Sequence, residues 1–197
     1  MLHLTQADYL TTLWSGGTTT QIAIFPSDTP YSTRDFLWRV SSAVVTDEKS
    51  IFTPLPDYNR RLMLLDGSLL LRHNGGAPFR LDAYQVHAFD GGAATESQGR
   101  CRDFNLMLRK GRCCGELRPI RFAGAGEESL PLSRPAAGCS HNALLLYCAA
   151  GHAQVSLAGS LCTLAAGESL LEEDALDTAL HLSVPGKADF VLAEIWY

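Results

Sequence analysis

Short alternations of apolar and polar residues, separated by turn residues, run through most of the chain and predict strands rather than helices. Thr20 to Phe25 alternates until Pro26 stops it, and Arg102 to Arg109 alternates in the same way. Turn signals recur roughly every 8 to 12 residues, and no long amphipathic helix pattern interrupts them. The pattern therefore predicts an all-β sandwich or barrel.

The stretch from Arg34 to Val45 is a strand candidate with a charged residue at its centre. Its aromatic and β-branched residues favour a strand. Alternation places Arg39 and Ser41 on one face and the apolar Trp38 on the other. Because an unpaired buried charge is very costly, Arg39 must reach solvent, meet a carboxylate, or line a polar cavity that accepts anions.

Three turn-rich stretches predict where strands begin and end. Asp66-Gly67, between two apolar runs, is the strongest hairpin signal in the chain. Pro54 and Pro56 predict an extended, ordered loop from which Arg60 enters the next strand. Residues 111–140 show the clearest shift towards glycine and proline, and they predict the junction between two halves.

The two halves carry a weak internal repeat. The matched pairs, at offsets of 84 (151 − 67), 83 (164 − 81) and 86 (189 − 103), are Gly67 with Gly151, Leu81 with Leu164, and Asp103 with Asp189. A near-constant offset is what an internal duplication leaves, although three matches in a β-rich sequence also arise by chance. Duplication predicts two β-barrels, residues 1–115 and 116–197, that share strands and an interface.

Charge and hydropathy restrict the classes of partner. The formal net charge is -5 and the 16 Lys and Arg residues are spread along the chain, so neither nucleic acid nor an anionic membrane surface is an expected partner. The apolar runs are far shorter than the roughly 20 residues that a membrane-spanning helix needs. The N-terminal residues lack the pattern of a signal peptide, which predicts a cytoplasmic protein.

Cysteine and histidine spacing gives no sign of a metal site. The six cysteines show no CxxC spacing and are expected to be reduced core or loop residues. The six histidines are scattered and include no HxH, whereas a 2-His-1-carboxylate metal site uses closely spaced histidines with a carboxylate. No metal and no other cofactor is therefore predicted.

Several motifs together resemble the signature blocks of the HutD/Ves family. In order, they are Trp14-Ser15-Gly16-Gly17-Thr18-Thr19, residues 36–43, residues 52–60, Leu64-Leu65-Asp66-Gly67, Phe89-Asp90-Gly91 and residues 103–107. The resemblance is specific in the first half, and in the second half it rests on strand pattern and the Glu194-Ile195-Trp196 ending. It implies a bicupin fold and a role in regulating histidine utilisation or stress responses. Gln21 departs from the family pattern, which often has glutamate there, and the turn around Ser15 lacks the usual asparagine.

A polar constellation in the first half predicts a pocket. Arg39 and Ser41 share one strand face, Asp103 and Asn105 share another, and Arg60 enters from the proline loop. If both faces turn into the first barrel, they supply the guanidinium, hydroxyl and amide groups that bind a small carboxylate. With two aromatic walls added, the predicted ligand-binding residues are Trp14, Arg39, Ser41, Arg60, Asp103, Phe104 and Asn105. The alternative is structural, with Arg39 paired to Asp103 and Arg60 capping a loop.

Three functions remain open on the sequence alone. The first is a metal-independent bicupin that senses a small acidic metabolite, such as formylglutamate or urocanate, and is linked to regulation of histidine utilisation. The second is a cupin-type isomerase or hydrolase that acts on a small carboxylate with Asp103 or His87 as the base. The third is a protein-interaction module, and pairing into a homodimer is also open. An acidic run, predicted to be a solvated loop, consists of Glu168, Glu172, Glu173, Asp174 and Asp177.

Overall fold

The computed structural model describes residues 1–132, 138–174 and 179–197, and these residues form an all-β fold as predicted. Apart from a short 3-10 turn at Tyr31–Thr33, the regular elements of the described residues are eighteen strands. No helix in those residues is long and apolar enough to cross a membrane.

The strands follow one another closely along the chain. In order they are β1 (Leu2–Leu4), β2 (Leu10–Trp14), β3 (Gly17–Phe25), β4 (Trp38–Val45), β5 (Lys49–Ile51), β6 (Tyr58–His73), β7 (Phe79–Asp82), β8 (Val86–Asp90), β9 (Thr95–Gln98), β10 (Cys101–Arg109), β11 (Cys114–Phe122), β12 (Gly126–Pro131), β13 (Asn142–Ala150), β14 (His152–Leu157), β15 (Ser160–Ala165), β16 (Ser169–Glu173), β17 (Ala179–Val184) and β18 (Ala188–Trp196).

The chain divides into two compact units. The first unit is Tyr9–Cys113, and the second combines Met1–Asp8 with Cys114–Tyr197. The division differs from the expected 1–115 and 116–197 in the placement of the first eight residues. Main-chain pairing explains the difference, because β1 adds to the edge of β16 with Leu2 opposite Leu171. The stretch 111–140, expected to be a junction, instead contains β11 and β12.

In the unit Tyr9–Cys113, antiparallel strands follow the order β2-β3-β4-β10-β6-β9-β5, and β7 and β8 also pair with β6. The strand β10 lies between β4 and β6, so the polar residues predicted for the pocket come from three neighbouring strands. Leu62 and Leu64 on β6 belong to an apolar cluster with Leu69, Leu71 and Leu81.

The predicted Asp66-Gly67 hairpin is wrong, because β6 runs through both residues as one strand. Arg102 of β10 pairs with Asp66 and Asp103 pairs with Leu64, so one extra residue forms a β-bulge in β6. Gly67 has a φ of 80° and lies against the backbone of Arg100. The glycine that suggested a turn therefore serves a bend within a strand.

We expect Gly67→Ala to lower the free energy of unfolding by about 2–4 kcal/mol, because an added Cβ combines left-handed strain with a collision against the carbonyl of Arg100. Gly75→Ala is the matched control. Gly75 has a φ of 70°, but an added Cβ there meets nothing within 4 Å, so a loss of about 1 kcal/mol is expected. Urea unfolding of both variants checks the difference, and equal losses would contradict the bulge as the cause.

The second unit has two antiparallel sheets, with strand orders β1-β16-β13-β18-β11 and β12-β17-β14-β15. Its interior is an apolar cluster that includes Ile120, Leu146 and Phe190 from the first sheet and Val155 and Leu182 from the second. Apolar side chains from both sheets therefore fill the space between them.

The prediction of a solvated loop is wrong for Glu172 and Glu173 of the acidic run, which belong to β16. Glu168 and Asp174 contact histidines from other parts of the chain. His3 Nε2 lies 2.9 Å from Glu168 Oε2, and Glu168 also accepts a hydrogen bond from the Ala165 N–H. These two contacts lower the pKa of Glu168, the backbone bond most strongly. Asp174 lies 3.1 Å from His141 Nδ1, and Asp177 is outside the described residues. Glu168 and Asp174 thus tie neighbouring chain segments together.

Each unit has a β-bulge at the matching place in its central strand pair. In the second unit, Asp189 pairs with Ala150 and Phe190 pairs with Cys148, which leaves an extra residue in β13. Gly151 follows with a φ of 78°. The register supports the internal repeat and corrects one match, because Asp103 corresponds to Phe190 rather than to Asp189.

Candidate ligand-binding site

A cavity of about 330 Å³ opens in the unit Tyr9–Cys113. Its polar lining is deeply buried: Arg39 and Ser41 are 4% and 3% exposed, and Arg60 is 5% exposed. Its apolar rim is open, with Ile51 80% and Trp14 40% exposed. The cavity therefore has a charged floor beneath an apolar mouth.

Strand register builds this floor. Met107 of β10 pairs with Arg39 of β4 on one side and with Arg60 of β6 on the other. Two residues along β10, Asn105 pairs with Ser41. Because alternate residues of a strand point to the same side, Arg39, Ser41, Asn105 and Arg60 converge on one space.

Arg39 is held by uncharged partners. Its Nε donates to Gln21 Oε1 at 2.8 Å, and its Nη1 donates to Ser41 Oγ at 3.0 Å. Its guanidinium carbon lies 4.1 Å from the centre of the Tyr31 ring. A glutamate at position 21 would neutralise Arg39, whereas the amide positions the guanidinium and leaves its charge in place.

Arg60 has still fewer partners. Its Nε donates to Asn105 Oδ1 at 3.3 Å, and its guanidinium carbon lies 4.9 Å and 5.1 Å from the ring centres of Phe52 and Phe89. Among the described residues no acceptor meets its terminal nitrogens. A guanidinium has five N–H donors, so Arg60 keeps unused donors in a nearly solvent-free place.

Asp103 is close to the arginines but is engaged elsewhere. Its Oδ1 accepts a hydrogen bond from the Ala43 N–H at 3.0 Å, and within the described chain neither guanidinium forms a salt bridge with it. The structural alternative, in which Asp103 neutralises Arg39 directly, is therefore wrong, as is the loop-capping role for Arg60. Two guanidiniums face one carboxyl group, and the cavity keeps an excess of positive charge.

Burial shifts the pKa values of Arg39, Arg60 and Asp103. It lowers the pKa of Arg39 and of Arg60 to about 10, so both remain charged at neutral pH. Burial also raises the pKa of Asp103 to about 6, against the Ala43 N–H and the two arginines, which lower it. A negative charge on Asp103 is therefore costly even with two cations nearby.

The cavity contains six of the seven predicted residues: Trp14, Arg39, Ser41, Arg60, Asp103 and Asn105. Phe104 does not line it. This residue is fully buried between Asp103 and Asn105 in sequence, so alternation turns its side chain to the opposite face of β10. Trp14 lies at the open rim, where its Nε1 donates to Thr19 Oγ1 at 3.2 Å.

Three of the lining residues that were not among the predicted site residues lie against Arg39. Gln21, Tyr31 and Met107 each contact Arg39. Tyr31 comes from the 3-10 turn before β4, where Arg34 also lies against its ring at 3.6 Å. The departure from the family pattern pointed to Gln21, and strand alternation places Met107 on the same face as Asp103 and Asn105. No sequence signal pointed to Tyr31.

In the second unit, apolar residues occupy the positions that match Arg60, Asp103 and Asn105. Register equates Arg60 with Leu144, Asp103 with Phe190 and Asn105 with Leu192, and these three apolar residues belong to the core cluster of that unit. The same strand framework is thus stable without the polar residues, so the fold does not require Arg60, Asp103 or Asn105.

His87, the other candidate base, lies apart from the cavity lining. Its Nε2 is 2.8 Å from Nε2 of His73, whose Nδ1 is 2.8 Å from Thr95 Oγ1. Burial lowers the pKa of both histidines; the charge of Arg60 lowers the pKa of His73 further, and the nearby imidazole of His73 lowers that of His87. Within the described ranges, no three His, Cys, Asp or Glu side chains are grouped as metal ligands.

Comparison with known proteins assigns the family. The HutD family model matches residues 6–192. The chain belongs to the HutD family. Protein Ves of Cronobacter sakazakii is 35% identical over 114 residues, which are 54% of this chain and 59% of Ves. The aligned part is thus less than two thirds of the length of this relative. Together, the family match and this relative confirm the predicted HutD/Ves resemblance.

Solved structures extend the HutD-family comparison to the whole chain. PA5104, a conserved protein of unknown function from Pseudomonas aeruginosa, has a TM-score of 0.80 at 27% identity, covering 98% of this chain and 97% of its own. HutD from Pseudomonas fluorescens has a TM-score of 0.70 at 23% identity, covering 100% and 98%. YhhW from Escherichia coli, a bacterial pirin, shares the fold at 8% identity with a TM-score of 0.70, covering 98% and 96%. The predicted bicupin-like fold is confirmed.

Proposed function

We propose that this HutD-family protein binds a small carboxylate in the cavity of the unit Tyr9–Cys113 and thereby senses an acidic metabolite. The observation that carries the proposal is the pair of buried guanidiniums, Arg39 and Arg60, which line the same cavity and keep N–H donors that no described residue accepts. Family membership supports a link to regulation of histidine utilisation, and formylglutamate and urocanate are the candidate ligands.

The chemistry of the floor favours a carboxylate over a neutral ligand. Burying a guanidinium costs several kcal/mol unless an anion or several acceptors compensate it. Planar carboxylates accept two parallel N–H bonds from one guanidinium, and Ser41 and Asn105 add a hydroxyl and an amide beside it. The volume of about 330 Å³ suits a small metabolite.

Calorimetry and thermal-shift measurements with formylglutamate and urocanate test the proposal. We expect saturable binding of one ligand per chain at pH 7, and loss of that binding with the uncharged methyl ester of urocanate, because the ester removes the charge that the guanidiniums recognise. Histidine, which carries an added ammonium group, is the second control. Absence of binding by any small carboxylate would refute the proposal.

Asp103 favours a second candidate function, that of an enzyme acting on the bound carboxylate. A buried carboxyl group with a pKa of about 6 is close to the range in which a general base works at neutral pH. Incubation with each ligand, followed by NMR of the small molecule, distinguishes the two functions. Turnover that Asp103→Asn abolishes would establish the enzyme, whereas unchanged ligand after stoichiometric binding supports a sensor.

A further inference from the structure

Two half-buried cysteines in the second unit have their sulfur atoms in contact. Cys114 Sγ lies 4.0 Å from Cys139 Sγ. Cys114 opens β11, while Cys139 belongs to the turn that leads into β13. The two cysteines are 25 residues apart in the chain, so the contact is made by the fold rather than by sequence.

The sheet explains how these distant residues meet. Trp196 of β18 pairs with Cys114 on one side and with Asn142 of β13 on the other, so β18 separates the two strands. The turn crosses the end of β18, where the N–H groups of Ser140 and His141 both donate to the Tyr197 carbonyl, at 3.2 Å and 2.9 Å. Tyr197 returns a hydrogen bond of 3.0 Å to the His141 carbonyl. These backbone bonds hold Cys139 over Cys114.

The other buried thiols differ in their surroundings. Burial raises the pKa of Cys101 and of Cys148 to about 12, which suppresses the reactive thiolate. Cys114 and Cys139 are neither fully buried nor separated by other side chains. An S–S bond of about 2.05 Å requires the sulfurs to approach by roughly 2 Å, a shift within reach of a side-chain rotation.

We propose that Cys114 and Cys139 form a reversible disulfide that fastens the turn before β13 to the first residue of β11. With oxidised glutathione as the oxidant, one cysteine thiolate attacks its disulfide, forms a mixed disulfide and releases one glutathione thiol. The second cysteine thiolate then attacks the protein sulfur and releases the other. The protein loses two protons and two electrons, and oxidised glutathione becomes two molecules of reduced glutathione.

This modification site lies in the second unit, whereas the cavity lies in the unit Tyr9–Cys113. A half-exposed pair on a turn has a higher reduction potential than a buried structural disulfide, so it responds to changes in the thiol–disulfide balance. When closed, the bond restrains a long loop of the unfolded chain and ties three neighbouring strands at one end of the sheet. We therefore expect oxidation to raise the Tm of the protein by several degrees.

A glutathione redox series on the full chain tests the pair. After alkylation of free thiols, digestion with trypsin and chymotrypsin separates Cys139 from Cys148, because Tyr147 lies between them. We expect a linked peptide that is two hydrogen atoms lighter than its reduced parts, absent after treatment with dithiothreitol. Alkylatable Cys139 at every glutathione ratio would overturn the proposal.

Three serine variants locate the bond. Cys114→Ser and Cys139→Ser are expected to lose the linked peptide and the rise in Tm, whereas Cys113→Ser, the adjacent control, keeps both. Reduced samples of all variants are compared by circular dichroism, so that an unfolded variant is recognised. A Cys114→Ser variant that still links Cys113 to Cys139 as efficiently as the wild type would overturn the assignment.

Discussion

Replacing Arg60 with leucine is expected to weaken carboxylate binding at least about 100-fold, which corresponds to about 2.7 kcal/mol. The substitution removes a guanidinium that is 5% exposed and that, among the residues the structure describes, donates only to Asn105. Leucine is the residue found at the matching position 144 of the second unit, so the core tolerates its size. We expect the free energy of unfolding to stay equal or rise, because a buried charge is removed.

Two further variants test whether the loss of binding comes from the buried guanidiniums. Gln21→Glu changes one atom and brings a carboxylate to Arg39, whose Nε donates to the present amide at 2.8 Å. It is expected to weaken binding at least tenfold by occupying the guanidinium. Arg72→Ala is the matched control, since Arg72 lies on the same strand as Arg60 but is 46% exposed and lies near Glu96. Loss of stability with retained affinity in Arg60→Leu would assign Arg60 to structure alone.

Replacing Asp103 with asparagine is expected to tighten carboxylate binding about tenfold at pH 7 and to remove its pH dependence. Asp103 and a bound carboxylate compete for the same two arginines, and an anionic ligand raises the pKa of Asp103 above about 6. Binding to the wild type therefore takes up a proton, and its affinity falls as the pH rises above 6. Asparagine resembles the protonated acid and removes this competition.

The same substitution has a stability signature whose sign follows from the pKa. Asp103 has a folded-state pKa of about 6, above the value of about 3.9 for an unperturbed aspartate. Between these two values the folded chain keeps a proton that the unfolded chain has lost, so the contribution of Asp103 to stability falls as the pH rises through this window. Asp103→Asn is therefore expected to raise the free energy of unfolding at pH 7 by about 1–3 kcal/mol.

Calorimetry in two buffers with different ionisation enthalpies measures the proton uptake, and urea unfolding at pH 5 and pH 7 measures the stability change. Ser41→Ala is a useful control, because it removes one partner of Arg39 without changing any charge near Asp103. Weaker binding by Asp103→Asn, with the pH dependence intact, would show that Asp103 assists the ligand instead of competing with it.

Strand alternation predicted which polar side chains of the floor share a strand face, but it left open whether the two faces meet. It placed Arg39 and Ser41 on one face and Asp103 and Asn105 on another, and the register of β4, β10 and β6 brings these faces together. The same rule excludes Phe104 from the cavity, because its neighbours in sequence line it. Phe104 was expected to form an aromatic wall because it is apolar, but the direction of its side chain excludes it.

Other features depended on contacts that the sequence pattern does not encode. Asp66-Gly67 has the composition of a hairpin turn, and only pairing with β10 shows that Gly67 follows a bulge. Tyr31 reaches Arg39 from a short turn with no strand periodicity. The pairing of β1 with β16 joins residues near opposite ends of the chain, beyond any local signal.

The grouping of residues 1–8 with the second unit has a consequence for synthesis on the ribosome. The cavity unit, Tyr9–Cys113, is one continuous stretch and can complete its sheet as soon as it emerges. In contrast, β1 is made early but must wait for β16 before it has a strand to pair with. An N-terminal truncation or fusion will therefore disturb the unit that is finished last and leave the carboxylate cavity to form first.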